Sequence, residues 1–368
     1  MVYHRLFASL LLLLTVQAMA FSSYVVEGKK YSGRFPGKIK IEKRSPNALE
    51  GRDDQDQWGP DSSSSGMINL KSAFKQFNKK RDVVVAVIDT GIDYQHPYLQ
   101  KNVHVTSEKA SDNNFGVDFS YKANSLTMPS DQHGHGTHVS GIIRSIFPQV
   151  KLLSLKYYNQ EASGVENLNS TIRALKYAIL AKVDIINYSG GGPEPSSDEF
   201  KILKIAEKRG ILVVAAAGNE HSNIDQKSNA YYPASYGLKN IITVTANNNK
   251  FDLLPSSNWG TKSVDISAPG FEIRSSIPNG LTGRMTGTSQ ATAFVTGVAA
   301  LLMAENPELS IEEVKTIILD SARKSKTLEG KCRSGGVLDA AEALVSAQKY
   351  SRGSGNSKSE NQRAVANR

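Results

Sequence analysis

The chain carries one cysteine, Cys332, among its 368 residues. A lone thiol closes no intrachain disulfide, so stability must come from packing, with bound ions as the other resource. Cys332 itself reads as a small buried side chain. Long apolar runs are also scarce. The longest near the front, Leu6–Val16, falls short of the about 20 residues a membrane span needs. It follows a cationic start, Met1–Arg5, and precedes Ala18-Met19-Ala20, a small-x-small cleavage pattern. Residues 1–20 therefore read as a removable signal peptide. The protein is expected to be secreted or periplasmic, with no stable membrane anchor. No cysteine stands near position 20 to take a lipid. The net charge of +9 is concentrated partly in the flanks and lacks an aromatic-interleaved basic motif, so no nucleic-acid partner is expected. No internal repeat is evident.

What is present is an alternation of apolar segments. Val83–Ile88 is a β-branched run that suits a buried parallel strand. Lys151–Lys156, Asp184–Tyr188, Ile211–Ala217, Ile241–Ala246 and Val264–Ala268 are further strand candidates. Between them, Leu168–Ala181 has helical spacing, and Ser196 with Glu199 and Ser310 with Glu313 form capping-box patterns. A last helix is predicted over Leu338–Ala347. The pattern predicts a three-layer, doubly wound α/β fold with a mostly parallel sheet of about seven strands between helices. The organisation expected is a signal at 1–20, a short N-terminal segment or divergent pro-segment at 21–55, a catalytic domain at 56–348 and a disordered tail at 349–368.

Four blocks carry chemistry. Asp89-Thr90-Gly91 follows the first strand, and His135-Gly-Thr-His-Val139 opens an apolar segment. Gly287-Thr-Ser-Gln-Ala-Thr292 opens another, and Ala215-Ala-Ala-Gly-Asn219 ends a strand. In parallel sheets functional groups gather at the carboxyl ends of strands, and these blocks obey that rule. A serine hydroxyl needs a base, and the base needs an orienting group. Ser289, His135 and Asp89 supply those types, in one of the known chain orders for such a triad. The Asn219 amide and the Ser289 backbone N–H could receive an oxyanion.

These blocks, with His96-Pro97, Ile186-Asn-Tyr-Ser-Gly-Gly-Gly-Pro193, Tyr232-Pro-Ala234 and Ser267-Ala-Pro-Gly270, resemble the subtilisin-like serine proteases over about residues 56–347. The resemblance implies an exported endopeptidase, acting through an acyl-enzyme on Ser289 and expected to be a monomer without organic cofactor. It implies that Ser189, Gly190 and Gly191 wall the P1 pocket. Ala162, Ser163 and Gly164 would be an extended segment that pairs with a peptide bound as an added strand. Glu220 would sit at the pocket rim, and Tyr231 on its floor would favour small or medium P1 side chains. It also implies a cis bond at Tyr232–Pro233.

Departures are informative. The family's common calcium loop lies between the histidine helix and the next strand. Here Ile142–Lys151 connects them directly, and Tyr98 stands where that site often has a carboxylate. That calcium site is expected to be lost; a calcium ion elsewhere stays open, and no metal ligand is assigned. Gln290 replaces the usual methionine after the nucleophile, which predicts tolerance of peroxide. Phe294 reads as a packing substitution. Two rivals have distinct tests. His133, His135 and His138, with Asp131, have a spacing that metallo-hydrolases use, and a chelator would inactivate such an enzyme. A non-catalytic peptide binder would ignore a fluorophosphonate probe. On the triad reading His138 is a structural neighbour of the base, and His133 an exposed loop residue.

Overall fold

The computed structural model describes residues 68–104, 114–123 and 127–350, and strands β1 (Ser22–Val26), β2 (Lys29–Gly33) and β3 (Lys40–Glu42). The expected signal peptide, and the tail from 351 on, lie outside the described residues. β1 and β2 pair as an antiparallel hairpin. The segment expected at 21–55 thus carries strands that its turn-rich sequence did not announce.

The main sheet contains β4 (Val84–Asp89), β5 (Gly116–Asp118), β6 (Lys151–Lys156), β7 (Ile185–Tyr188), β8 (Leu212–Ala216), β9 (Ile241–Asn247), β10 (Ile266–Pro269), β13 (Arg323–Lys324) and β14 (Gly336–Val337). The spatial order is β13-β14-β10-β9-β8-β7-β4-β6-β5. All pairs are parallel except β13–β14. The sheet has nine strands where about seven were expected. The additions β5, β13 and β14 are only two or three residues long, too short to leave a periodic signal.

Helices α1 (Leu70–Phe74), α2 (His135–Ile146), α3 (Gly164–Leu180), α4 (Ser197–Lys208), α5 (Thr288–Glu305), α6 (Ile311–Asp320) and α7 (340–350) surround it. One core joins α2, α5 and α6 to one sheet face through Ile143, Phe294, Leu302 and Ile318. A second joins α3 and α4 to the other through Leu175, Leu203, Ile186 and Val213. Burying the apolar area of both faces is the main favourable term, and it explains why β4 and β8 read as unbroken apolar runs. α5 is buried along its whole length, Phe294 included, and no face of it is reserved for solvent.

Local rules set the helix ends. Ser163 and Glu166 form a full capping box that starts α3 four residues before the expected Leu168. Ser310 and Glu313 form the other full box. The third expected box is half made. Ser196 caps the Glu199 N–H, but the Glu199 carboxylate turns inward to the hydroxyls of Tyr188 and Tyr236. The Tyr232–Pro233 bond is cis. Among the described residues no helix is long and apolar enough to cross a membrane.

The sheet changes direction of winding at β4, which lies between β7 and β6. The crevice at the carboxyl end of β4 is where such a sheet places a ligand. A separate hairpin, β11 (Ile273–Ile277) and β12 (Leu281–Met285), packs on α2, with β3 as its third strand.

Candidate active site

Asp89 is the last residue of β4 and His135 the first of α2. Both are buried, and His135 Nδ1 lies 2.8 Å from Asp89 Oδ1. The Thr90 backbone N–H donates to the same oxygen at 2.7 Å. With Asp89 as acceptor, Nδ1 carries the proton and Nε2 is left as the basic nitrogen. Gly136 permits this approach. A methyl group there would overlap the Gly91 carbonyl oxygen and press on the Asp89 side chain.

Asp131 holds the start of α2. Its Oδ1 accepts from the Thr90 hydroxyl at 2.9 Å and from the N–H groups of His133 at 2.9 Å and Gly134 at 2.7 Å. Its Oδ2 accepts from the N–H of Thr137 at 2.9 Å and its hydroxyl at 2.6 Å. One carboxylate thus satisfies orphan donors of the helix N-terminus and ties them to Thr90, beside Asp89. Sequence reasoning considered Asp131 only as a metal ligand. Its place just ahead of the helix was the signal for a capping role.

The three histidines of the H-x-H-x-x-H run go to different tasks. His138 is fully buried, and its Nε2 donates to Ile273 O at 2.9 Å and Gly283 O at 3.2 Å. Burial pushes its pKa down to about 3, so it is neutral. His138 is the structural neighbour expected. His133 is not the exposed loop residue expected: its ring is half-buried, edge-on to Tyr158 at 5.8 Å, and burial lowers its pKa to about 4.

Ser289 is the second residue of α5, just past the short link that leaves β12. Its hydroxyl donates to Ser189 O at 3.0 Å, and the Ser189 hydroxyl donates back to Ser289 O at 3.2 Å. Ser189 Oγ also accepts from Asn187 Nδ2, and Asn187 Oδ1 accepts from the Thr296 hydroxyl on α5. This chain of polar contacts fastens the serine to the expected pocket wall. Asn187 and Thr296 escaped sequence reasoning because a lone Asn or Thr in an apolar run carries no role by itself.

Asn219 follows β8. Its Oδ1 accepts from the Thr288 N–H at 2.9 Å and from the Thr288 hydroxyl at 3.3 Å. That fixes the side chain beside Gly287–Ser289 and leaves Nδ2 as a donor next to the nucleophile. Gly218, with φ +97°, makes the turn, where a side chain would strike Asn258, Glu220 and Tyr231.

The pocket residues divide. Gly191 lies against the Tyr231 ring, so that ring occupies the space between Gly191 and Gly218. Glu220 is tied to Asn258 Nδ2 at 2.5 Å, and burial raises its pKa. Gly190 abuts the Tyr157 hydroxyl. In the segment expected to be extended at 162–164, Ser163 has extended backbone (φ −64°, ψ 165°) and its neighbours take other roles. Ala162 lies in a turn with its N–H bonded to Asn159 O, Ser163 caps α3, and Gly164 is its first helical residue. The N–H groups of Ala162 and Ser163 are therefore already used, the latter by Glu166 Oε2. The capping box, overlooked in the sequence, is the reason.

The corner where the resemblance places a calcium carboxylate does not fit the ion. α2 passes to β6 through only residues 147–150. The Arg144 guanidinium lies 3.7 Å from the Tyr98 ring centroid and donates to Asn102 Oδ1. Asn102 Nδ2 in turn holds Pro148 O and Val150 O. A cationic side chain and a ring close this corner, where a divalent ion would need carboxylate oxygens.

A buried carboxylate–imidazole pair at the carboxyl edge of a doubly wound sheet, and a helix-borne serine preceded by a residue that an amide holds, are the parts of a serine-hydrolase type of site. Comparison with known proteins makes this specific. The model of the Subtilase family matches residues 80–357. The "Major intracellular serine protease" of Bacillus subtilis (strain 168) is 35% identical over 272 residues, 68% of this chain and 80% of that protein. "Subtilisin-like protease 1" of Plasmodium berghei (strain Anka) is 29% identical over 328 residues, 79% of this chain but 54% of that protein. A solved chain from a study titled "Structural basis of subtilase cytotoxin SubAB assembly" superposes with a TM-score of 0.65 at 26% identity, covering 77% of this chain and 95% of that one. The chain belongs to the subtilase family, and it is a serine protease.

Proposed function

We propose that this protein is an exported endopeptidase that hydrolyses peptide bonds through an acyl-enzyme on Ser289. The observation that carries the reading is the 2.8 Å contact between His135 Nδ1 and Asp89 Oδ1. It orients the imidazole so that Nε2 can take the Ser289 proton. The hydroxyl leaves Ser189 O, attacks the acyl carbon and passes its proton to His135, which returns it to the leaving amine. Asp89 stabilises the imidazolium. Asn219 Nδ2 and the Ser289 N–H receive the developing oxyanion, aided by the N-terminal end of α5.

The substrate is a protein or peptide bound as an added strand along Ser189–Gly191, with Glu220 at the rim. The Tyr231 ring against Gly191 supports a preference for small or medium P1 side chains. We read the enzyme as a monomer that needs no organic cofactor, nucleic acid or membrane anchor. Export to the periplasm or beyond rests on the sequence Met1–Ala20 alone.

A fluorophosphonate probe should label the wild type at Ser289, and Ser289→Ala should fold, resist the probe and lose nearly all hydrolysis of an unlabelled protein substrate. Activity should survive a chelator. An unlabelled wild type that digests nothing would sink the reading, and loss of activity to the chelator would revive the metallo-hydrolase alternative.

A further inference from the structure

The hairpin β11–β12 is fastened to the catalytic machinery at several points. His138 Nε2 donates to Ile273 O on β11 and to Gly283 O on β12. Ser275 Oγ donates to His138 O at 2.7 Å and Ser276 Oγ to Thr137 O at 2.9 Å. His96 Nε2 donates to Leu281 O at 3.0 Å, and the Asn279 N–H to Asp93 Oδ2 at 2.9 Å. Thr137 and His138 belong to the first turn of α2, which begins at His135. β12 itself ends at Met285, four residues before Ser289. One strand thus touches the helix of the base and leads toward the helix of the nucleophile.

The outer edge of β12 is closed by β3, from the N-terminal segment. The pairing is antiparallel, with Lys40 opposite Arg284, Ile41 opposite Gly283 and Glu42 opposite Thr282. Gly283 therefore pairs with Ile41 and also accepts the His138 proton. An edge without β3 would present unpaired N–H and C=O groups, a costly and aggregation-prone state. Pairing on β12 is also a different place from the Ser189–Gly191 wall, where a segment blocking the cleft would have to lie.

We infer that the edge of β12 is a docking surface whose occupant is this chain's own residues 40–42, retained in the working enzyme as a strap. Residues 40–42 are then neither part of a leader discarded in full nor a plug of the cleft. A mature protein should begin at or before Lys40. A sheet of three strands gains stability that a bare two-stranded hairpin lacks, so the strap stiffens the support of both His135 and Ser289.

The test uses the full chain. Ile41→Pro removes one backbone N–H and locks φ near −65°, away from the antiparallel value, so it weakens the pairing of β3; Ile41→Val keeps the strand. We expect Ile41→Pro to lower the melting temperature by at least about 5 °C and to reduce fluorophosphonate labelling, with Ile41→Val like the wild type. An unchanged melting temperature would overturn the strap. So would higher activity in Ile41→Pro, which marks an inhibitory segment. If the proline variant does not fold, a foreign-protease site placed within residues 45–66 of the Ser289→Ala chain decides the matter. After cutting, the N-terminal fragment should co-elute with the domain in native buffer and separate in denaturant; separation in native buffer refutes the inference. A mature N-terminus beyond Glu42, read by mass spectrometry of active protein, refutes it equally.

Discussion

Replacing Asp131 with Asn removes one charge and one acceptor while keeping the shape. The carboxylate receives five donors, three on Oδ1 and two on Oδ2. An amide has one acceptor oxygen. If that oxygen keeps the Oδ1 partners, the NH2 group faces the Thr137 N–H, which cannot reverse its polarity as a hydroxyl can. The opposite flip is worse, because two backbone N–H groups, of His133 and Gly134, then face it. An orphaned buried N–H costs roughly 1–3 kcal/mol, and the lost charge assistance adds about 1 kcal/mol. The sum is about 3 kcal/mol, which in a domain of this size lowers the melting temperature by roughly 6–12 °C. Catalysis should suffer separately. Thr90 and the first turn of α2 both lean on Asp131, and a displacement near 1 Å of His135 against Asp89 costs on the order of 10²-fold. Calorimetry with kcat on a peptide amide checks both numbers. A variant with wild-type melting and kcat would show that Asp131 is not the organiser. Recovery of Asp131→Asn activity on adding zinc would show instead that it had served as a metal ligand.

Acid should weaken the fold through His138, whose pKa is held down to about 3 by burial while the unfolded chain titrates near 6.5. Its stabilising contribution is complete above pH 6.5 and drains as pH falls toward 3, by at most about 1.4 kcal/mol per pH unit. His133, also held down to about 4 by burial, adds a slope of the same sign. Urea melts from pH 7 to 4.5 should show both, and His138→Gln should make the slope shallower without removing it; parallel slopes would refute the assignment. Tyr231→Gly should open the space beside Gly191 and raise kcat/KM for aromatic P1 residues relative to alanine by at least about tenfold, read on a P1-varied peptide series. If wild type and variant rank the series alike, the ring does not set the preference. Peroxide should spare activity at doses that oxidise exposed methionines, because Gln290 adjoins Ser289. Gln290 Nε2 does contact Met285 Sδ at 3.8 Å, so activity loss that tracks sulfoxide at Met285 would contradict this expectation.

The parts of the fold with a repeating pattern were legible before any coordinates. β4, β6, β7, β8 and β9 fall within a few residues of their apolar runs, because strands buried on both faces have few polar positions to interrupt them. The Asp89–His135 contact could be anticipated from two strand-end and helix-start motifs. The β11–β12 hairpin was not, since Ile273-Arg-Ser-Ser-Ile277 is buried yet polar. Its serines are donors for carbonyls of α2, and that long-range pairing leaves no local trace. Glu199 misled for a related reason: its position spelled a cap, but two tyrosine hydroxyls from β7 and the loop before β9 claimed the carboxylate. At 162–164 a local rule, Ser163 with Glu166, decides where α3 begins, and Ser163 itself keeps an extended backbone.

The main sheet tapers at both margins, to three residues in β5 and to Arg323–Lys324 in β13. A neighbouring molecule seeking to lengthen the sheet finds a ledge too narrow to grip, and at one margin it meets two cations. With a net charge of +9, molecules also repel each other at a distance. Concentrated stocks should therefore stay monodisperse by light scattering up to the onset of melting, and fibrils should appear only once the layers part and longer inner strands come into view.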